Sequence, residues 1–360
     1  MRIAVLGVGL IGGSIGLAAR ERAGAEVSGY DPDASVRSRA LELGAIDTAA
    51  EDIASAVRGA QAVFVAAPVG ALPQAVADAL AAAGADTVVS DVGSTKRLLA
   101  QVSADERFVG GHPLAGAETQ GVEHARADLF EGATWYLTPA PGSTAGVLYE
   151  RLHALLRKLG AKPAAIDAQT HDRLMACVSH LPHVLANLLA AQAAGTLESP
   201  AGDAERLPAV GPSFRDAIRV AGANSTIWSD IYLSNADALG SAIDELEGRL
   251  AAVRTMLEDG DADGLRTWIE GARTDRDALL GAGMSAGSAH ELRVAVPNRP
   301  GVVAEIALAL GEAGVNIGDL VLSPSPDNSR GVIALWIGGA EPAARAESVV
   351  GELGFQVVRA

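Results

Sequence analysis

The chain has 360 residues, 49% hydrophobic and only 4% aromatic. That is enough apolar material for two or three domains with sizeable cores, and it excludes a disordered polymer. The net charge of −16 excludes a nucleic-acid binder, which needs a basic face. It also means that an anionic substrate must be held by local arginines against an unfavourable overall field.

Met1 leads almost directly into "RIAVLG", which leaves no room for a signal peptide, and no membrane span is expected. The one cysteine, Cys177, rules out an internal disulfide framework and fits a reducing, cytoplasmic setting.

Residues 1–165 alternate β-rich runs with helical ones. "RIAVLGV", "EVSGYD", "AVFVAAP", "TVVSDVG", "RFVGGH" and "TWYLTP" predict strands, and 71–83 and 145–159 predict helices. The alternation predicts an α/β, Rossmann-type, doubly wound parallel sheet. From 166 to 285 strand patterns give way to helical ones: the "QTHDRLMACVSHLPHVLANLLAAQAAG" stretch, 213–222, 226–257 and 263–280. An all-helical domain with apolar faces to spare is expected, and dimerisation through it follows. Small residues at 281–289 read as a linker that ends at 286–289. Residues 290–360 run β-α-β-β-α-β, the ferredoxin-like plan.

The first strand ends in "GVGLIGGSIG". Gly7, Gly9 and Gly12 match G-x-G-x-x-G: a tight turn, close backbone approach to a pyrophosphate, and close helix–strand packing. With Val8, Leu10 and Ile11 between them they predict a dinucleotide site at a helix N-terminus. Asp31 closes the second strand, 24 residues after Gly7, where an acid accepts from ribose hydroxyls and disfavours a 2′-phosphate; NAD is the expected cofactor. Ala67 and Pro68 in "AAPV" are expected against the nucleotide, although a strand-ending proline alone would look the same. Asp91 and Gly93 in "SDVGSTK" are placed there too.

Ligands of such sheets sit outside the carboxyl ends of strands. Asp91, Ser94, Lys96 and His112 all follow strands, so His112 reads either as a base near the nicotinamide or as a core histidine. "THDRLMACVSHLPH" adds His171, Asp172, His180 and His183. The histidine spacings do not form one compact face, so no metal is expected. Arg215 and Arg219 share a helix face near Trp228. They suit a carboxylate clamp, or an exposed pair bridged to Asp216 or Asp230.

Together "GVGLIGGSIGLA", "DVGSTK", "GGHPLAGAETQG", "HDRLMACVSHLPH" and "FRDAIRVAGANSTIWSDI" resemble the prephenate/arogenate dehydrogenases of tyrosine biosynthesis, in the family's order and over residues 1–285. The resemblance implies oxidative decarboxylation. His112 would be the base, with Ser94 orienting it. Arg219, supported by Arg215, would hold a carboxylate, and His183 would contact the side-chain end of the substrate. Asp172 and Glu118 would line the cleft mouth, and Trp228 would close it. Many relatives carry a basic residue after the position of Glu118, where this chain has Thr119 and Gln120. Residues 290–360 resemble an ACT domain, with Asn298, Gly301, Asn316 and Ile317 where such modules contact an amino acid. Tyrosine is the implied effector and a homodimer the implied assembly. Prephenate is the expected small-molecule substrate, with arogenate as the alternative. A 3-hydroxyacid-type enzyme would need a helical-domain lysine, and 166–285 contain none. A non-catalytic NAD and amino-acid sensor is the third reading.

Overall fold

A computed structural model describes residues 1–102, 104–116, 119–140, 146–197, 210–283, 289–324 and 329–359. Glu118 and linker residues 286–288 lie outside the described residues. The chain forms two compact units, Met1–Gly248 and Arg249–Ala360.

The first unit is built on a parallel sheet of β1 (Arg2–Leu6), β2 (Glu26–Tyr30), β3 (Thr48–Ala49), β4 (Ala62–Val65) and β5 (Val88–Asp91), in the order β3-β2-β1-β4-β5. Both faces are covered, so the strands are mostly apolar and split their side chains between two cores. Ile3, Val5 and Phe64 point to the core shared with α1 (Leu10–Ala23) and α6 (Val147–Lys158). Ala4, Leu6, Val63 and Val65 point to the core of α3 (Ile53–Val57) and α4 (Leu72–Ala82). Helix α2 (Ala34–Glu42) follows β2, capped by Asp33, whose carboxylate accepts from the Ser35 N–H.

One continuous doubly wound sheet was expected to include "RFVGGH" and "TWYLTP". Instead β6 (Gly110–Pro113), β7 (Thr134–Thr138) and β8 (Lys162–Ala165) form their own three-stranded sheet. Residues 107–109 first run parallel to β5, with Val109 N–H donating to Val89 O at 2.9 Å. The chain then diverges, and β6 pairs antiparallel with β7. The cause is steric. Gly110 and Gly111 let the backbone close onto the end of β5, where a Cβ on Gly111 would sit 2.6 Å from Asp91 O and 2.9 Å from Trp135 Nε1.

After α5 (Arg97–Val102) in the nucleotide fold, the helical part begins with α7 (Ala168–Met175). A π-helical turn at Ala176–His180 follows, then α8 (Leu181–Leu197), α9 (Pro212–Ile218), α10 (Ser225–Ser234) and α11 (Ala236–Glu258). The single helix expected over 226–257 is therefore two. The break is at Asn235, which is fully buried and held by tertiary hydrogen bonds. The stretch Ala168–Gly195 contains an 18-residue window, of mean hydropathy 1.5, that is apolar enough by composition to cross a bilayer. Only 22% of that window is buried in the chain, whereas His171, Asp172 and His180 of the same helical run are among the most deeply buried polar groups.

The second unit holds the end of α11, α12 (Ala262–Gly283) and an antiparallel sheet. The sheet comprises β9 (Ala289–Pro297), β10 (Ile317–Pro324), β11 (Arg330–Gly338) and β12 (Gln356–Arg359), in the order β10-β11-β9-β12. With α13 (Val302–Glu312) and α14 (Ala340–Glu352) this is the expected β-α-β-β-α-β plan. Leu292, Val294, Ile306, Leu335 and Val350 form its core.

Candidate active site

The glycine loop has the features that a dinucleotide needs. Gly7 has φ +90°, a value L side chains rarely adopt, and its N–H donates to Tyr30 O at 2.7 Å. A Cβ on Gly12 would run into the Gly7 carbonyl, so α1 packs against β1 only because Gly12 has none. A Cβ on Gly9 would meet nothing within 4 Å, so open space lies over the N-terminus of α1, which has no side-chain cap. The unsatisfied first-turn amides and the helix dipole favour an anion there. Leu10 and Ile11 are half-buried in that first turn, whereas the Val8 side chain is wholly in the core. Only the Val8 backbone faces the loop, and its N–H donates to Asp31 Oδ2 at 3.2 Å. Asp31 thus stands beside the glycines. Ala67 is half-buried and Pro68 exposed in the turn after β4, against which α10 packs. A cavity of about 480 Å³ is lined in part by Thr119, His124 and Arg126. It lies beside α1, because Arg126 N–H donates to Ser14 Oγ at 2.9 Å. These residues fit a dinucleotide.

Three residues expected to face the cofactor do not. Asp91 is 0% exposed, and its carboxylate accepts from Gly93 N–H (2.8 Å), Gly111 N–H (3.0 Å) and the Lys96 ammonium. Gly93 is buried with its amide taken up by that bond, and Lys96 is buried as completely as Asp91. They form the wall behind the cleft. Ser94 is half-buried in the same turn, and its hydroxyl has no partner among the described residues.

His112 lies in β6, half-buried, opposite Tyr136 of β7. Its Nδ1 is 2.9 Å from Nε2 of His171, whose own Nδ1 is 2.8 Å from Oδ1 of Asp172. Asp172 also accepts from the backbone N–H groups of Lys96 (2.8 Å) and Arg97 (2.9 Å) and from Arg97 Nε (3.4 Å). Burial alone would raise its carboxyl pKa, but the bonds from His171, Arg97 and Lys96 outweigh it and hold it below the usual range. It is therefore an ionised acceptor, and the protons along the chain follow. His171 donates Nδ1–H to Asp172, its Nε2 accepts from His112 Nδ1–H, and His112 Nε2 is left with a free lone pair. Burial, then the neighbouring His171 and Lys96, push the His112 pKa well below its ordinary value, so it is neutral near pH 7. Its tautomer is thereby fixed from behind, which leaves Nε2 able to accept a proton. The expected place of Asp172 at the cleft mouth is thus corrected: it lies beneath His171 with no exposed surface. His171 is the residue that reading by strand ends misses; the adjacent "HD" pair was its only local signal.

A second group lies on the helices. His183 stacks on Trp228 with ring centroids 3.4 Å apart, and His180 meets the same indole edge-on at 6.2 Å. Burial, then the Arg219 charge, lowers the His183 pKa, so that guanidinium lies within electrostatic reach of the ring. Arg219 closes α9 and, like Arg215, is exposed. His180 is set by Asn235, whose Nδ2 donates to His180 Nδ1 (3.2 Å) and to Asp172 O (2.7 Å). The structure therefore brings His183, Trp228 and Arg219 together on one side, and His112, His171 and Asp172 on the other, with His180 coupled to both.

A dinucleotide fold together with a neutral, oriented histidine points to the class of nicotinamide-dependent dehydrogenases. Similarity to known proteins narrows the class. Residues 15–164 match the pattern of the prephenate dehydrogenase nucleotide-binding domain, and 167–271 that of the prephenate dehydrogenase dimerization domain. Prephenate dehydrogenase of Bacillus subtilis is 32% identical over 358 residues, covering 97% of this chain and 95% of its own. The crystal structure of prephenate dehydrogenase from Aquifex aeolicus, in complex with hydroxyphenyl propionate and NAD+, superposes with TM-score 0.70 at 28% identity. It covers 78% of this chain and 98% of that one. Synechocystis arogenate dehydrogenase gives 0.68 at 28% identity, covering 78% and 100%. The chain belongs to the prephenate dehydrogenase family, and NAD is its cofactor.

Proposed function

We propose that the protein oxidises and decarboxylates prephenate to 4-hydroxyphenylpyruvate. The observation that carries this reading is the chain from His112 through His171 to Asp172, which leaves one imidazole nitrogen of His112 free to take a proton. NAD+, when bound, supplies the hydride acceptor. His112 Nε2 takes the proton of the ring hydroxyl as the carbinol carbon loses hydride. Asp172 and His171 disperse the charge that forms on the imidazole. The bond to the ring carboxylate then breaks, its electron pair enters the ring, and His112 returns the proton to the phenolate oxygen. The ring becomes aromatic, so the protein needs only to hold the carboxylates: Arg219, supported by Arg215, holds one, and His183 against Trp228 meets the side-chain end. Ser94 hydrogen-bonds the reacting hydroxyl. Arogenate is the second reading, favoured by the likeness to the Synechocystis enzyme. Comparing kcat/KM for prephenate and arogenate with NAD+ tests both; turnover of neither would overturn the reading.

The 1–165 nucleotide domain, the 166–285 helical domain and the 290–360 ACT module remain our division of the chain by role, and the cytoplasm our assigned location. We assign a homodimer because Leu188 is exposed in the first unit and Leu250, Leu257, Trp268 and Ile269 are exposed in the second, apolar side chains that call for a cover in each. Tyrosine is assigned as effector of the ACT module. Its four expected contact residues do not form one pocket in a single copy. Asn298 and Gly301 follow Pro297, which pairs with Arg330, whereas Ile317 pairs with Ile337, itself opposite His290. Seven residues of strand, roughly 23 Å, separate the two ends. Two copies are needed to bring Asn298 and Gly301 of one against Asn316 and Ile317 of the other.

A further inference from the structure

The first unit buries an ion pair outside the reacting groups. Lys96 and Asp91 are both without exposed side-chain surface. Such a pair gives up much hydration, and apolar replacements are often as stable, so its presence asks for a role. Its contacts supply one. The Lys96 ammonium bonds Asp91 and donates to the carbonyl of Gly111 at 2.7 Å, while Asp91 Oδ1 accepts the Gly111 N–H at 3.0 Å. Both polar groups of the residue immediately before His112 are therefore gripped by one ion pair. Gly110 fits against the stem of the same lysine, where a Cβ would lie 3.5 Å from Lys96 Cδ. The backbone N–H of Lys96 also donates to Asp172 Oδ1, the atom that receives His171. One residue thus braces both ends of the histidine chain.

We propose that Lys96 and Asp91 are positioning residues for the base, clamping the peptide that carries His112. The inference rests on the assignment of His112 as the base. The other groups facing His112 are His171 of α7, His180 of the π-helical turn and Tyr136 of β7, with Asp172 behind His171. Lys96 is the lysine among them, and its charge, after burial and His171, holds the His112 pKa down. Removing it moves the midpoint upward.

The test is Lys96→Met, read by kcat, by NAD+ affinity and by NMR titration of labelled histidines. The chain has seven, and His112 is assigned by its loss in His112→Asn. The proposal expects kcat to fall about 10-fold or more with NAD+ affinity within about twofold. The His112 midpoint and the acid limb of kcat/KM should both move to higher pH. A folded variant with an unmoved midpoint overturns the proposal, as does a lower melting temperature with no change in the pH profile. Asp91→Asn with Lys96→Met removes both charges and guards against misfolding; there too an unmoved midpoint overturns it. The titration does not depend on turnover. Wild-type protein that oxidises neither prephenate nor arogenate overturns the functional reading and leaves the clamp to be judged by NMR.

Discussion

Replacing His171 with phenylalanine keeps a ring of similar shape and removes both nitrogens of the relay. The magnitude follows from the bonds. Before proton transfer, His112 Nδ1–H donates to a neutral acceptor at 2.9 Å, a bond worth about 1 kcal/mol net. Once His112 is protonated the same bond has a charged donor and is worth about 1.5–3 kcal/mol. The difference, about 0.5–2 kcal/mol, is present only as charge develops, and it corresponds to roughly 2–30-fold in kcat. Loss of the fixed tautomer adds to this. Asp172 keeps three other donors, from Lys96 N and from Arg97 N and Nε, so it is not left bare. The assay is steady-state NADH formation from about pH 6 to 9, with the KM for NAD+ measured alongside. A kcat within about twofold of wild type across that range would refute the relay.

Three more outcomes are expected. His112→Asn should lower kcat by about 10²–10⁴-fold while fluorescence titration shows NAD+ still bound; near-normal turnover would remove His112 as the base. Arg219→Ala should raise the substrate KM far more than the NAD+ KM, and equal effects would argue against a carboxylate contact. Burial pushes the His180 pKa from 6.5 to about 4. The native state keeps it neutral while the unfolded chain takes up a proton, so its contribution is complete above about pH 6.5 and is lost as pH falls toward about 4. By about pH 5 that loss is about 2 kcal/mol, readable as a drop in the urea midpoint that His180→Gln should reduce. An identical drop in the variant would refute the assignment.

Much of this architecture was legible because local patterns carry it. The glycine spacing, the acid at Asp31 and the β-α-β-β-α-β order need only short-range reading. Pairing direction is not local, so the separate β6–β7–β8 sheet was hidden; its cause is the crowding of Gly111 against Asp91 and Trp135. The helix break at Asn235 was hidden for a similar reason. "YLSNADAL" is compatible with a continuous helix, and the turn is imposed by bonds to Asp172 and His180. At the site, His112 could be found from its strand end. Its partner His171 is 59 residues away on a helix, and no spacing rule connects the two. Asp91 and Asp172 were recognised as significant but set in front of the cleft. A sequence shows that an acid is present, and only packing shows that its oxygens are already occupied.

His112 and its partners come from different parts of the chain: His112 from a short strand, His171 and Asp172 from α7. The glycine loop and Asp31 all lie within the first 31 residues and need only β1, β2 and α1. Order of assembly therefore matters during refolding. A chain that has built its parallel sheet but has not seated α7 can hold the nucleotide while its histidine lacks a fixed tautomer. Coenzyme binding should return first and turnover later, with the interval set by the docking of one eight-residue helix.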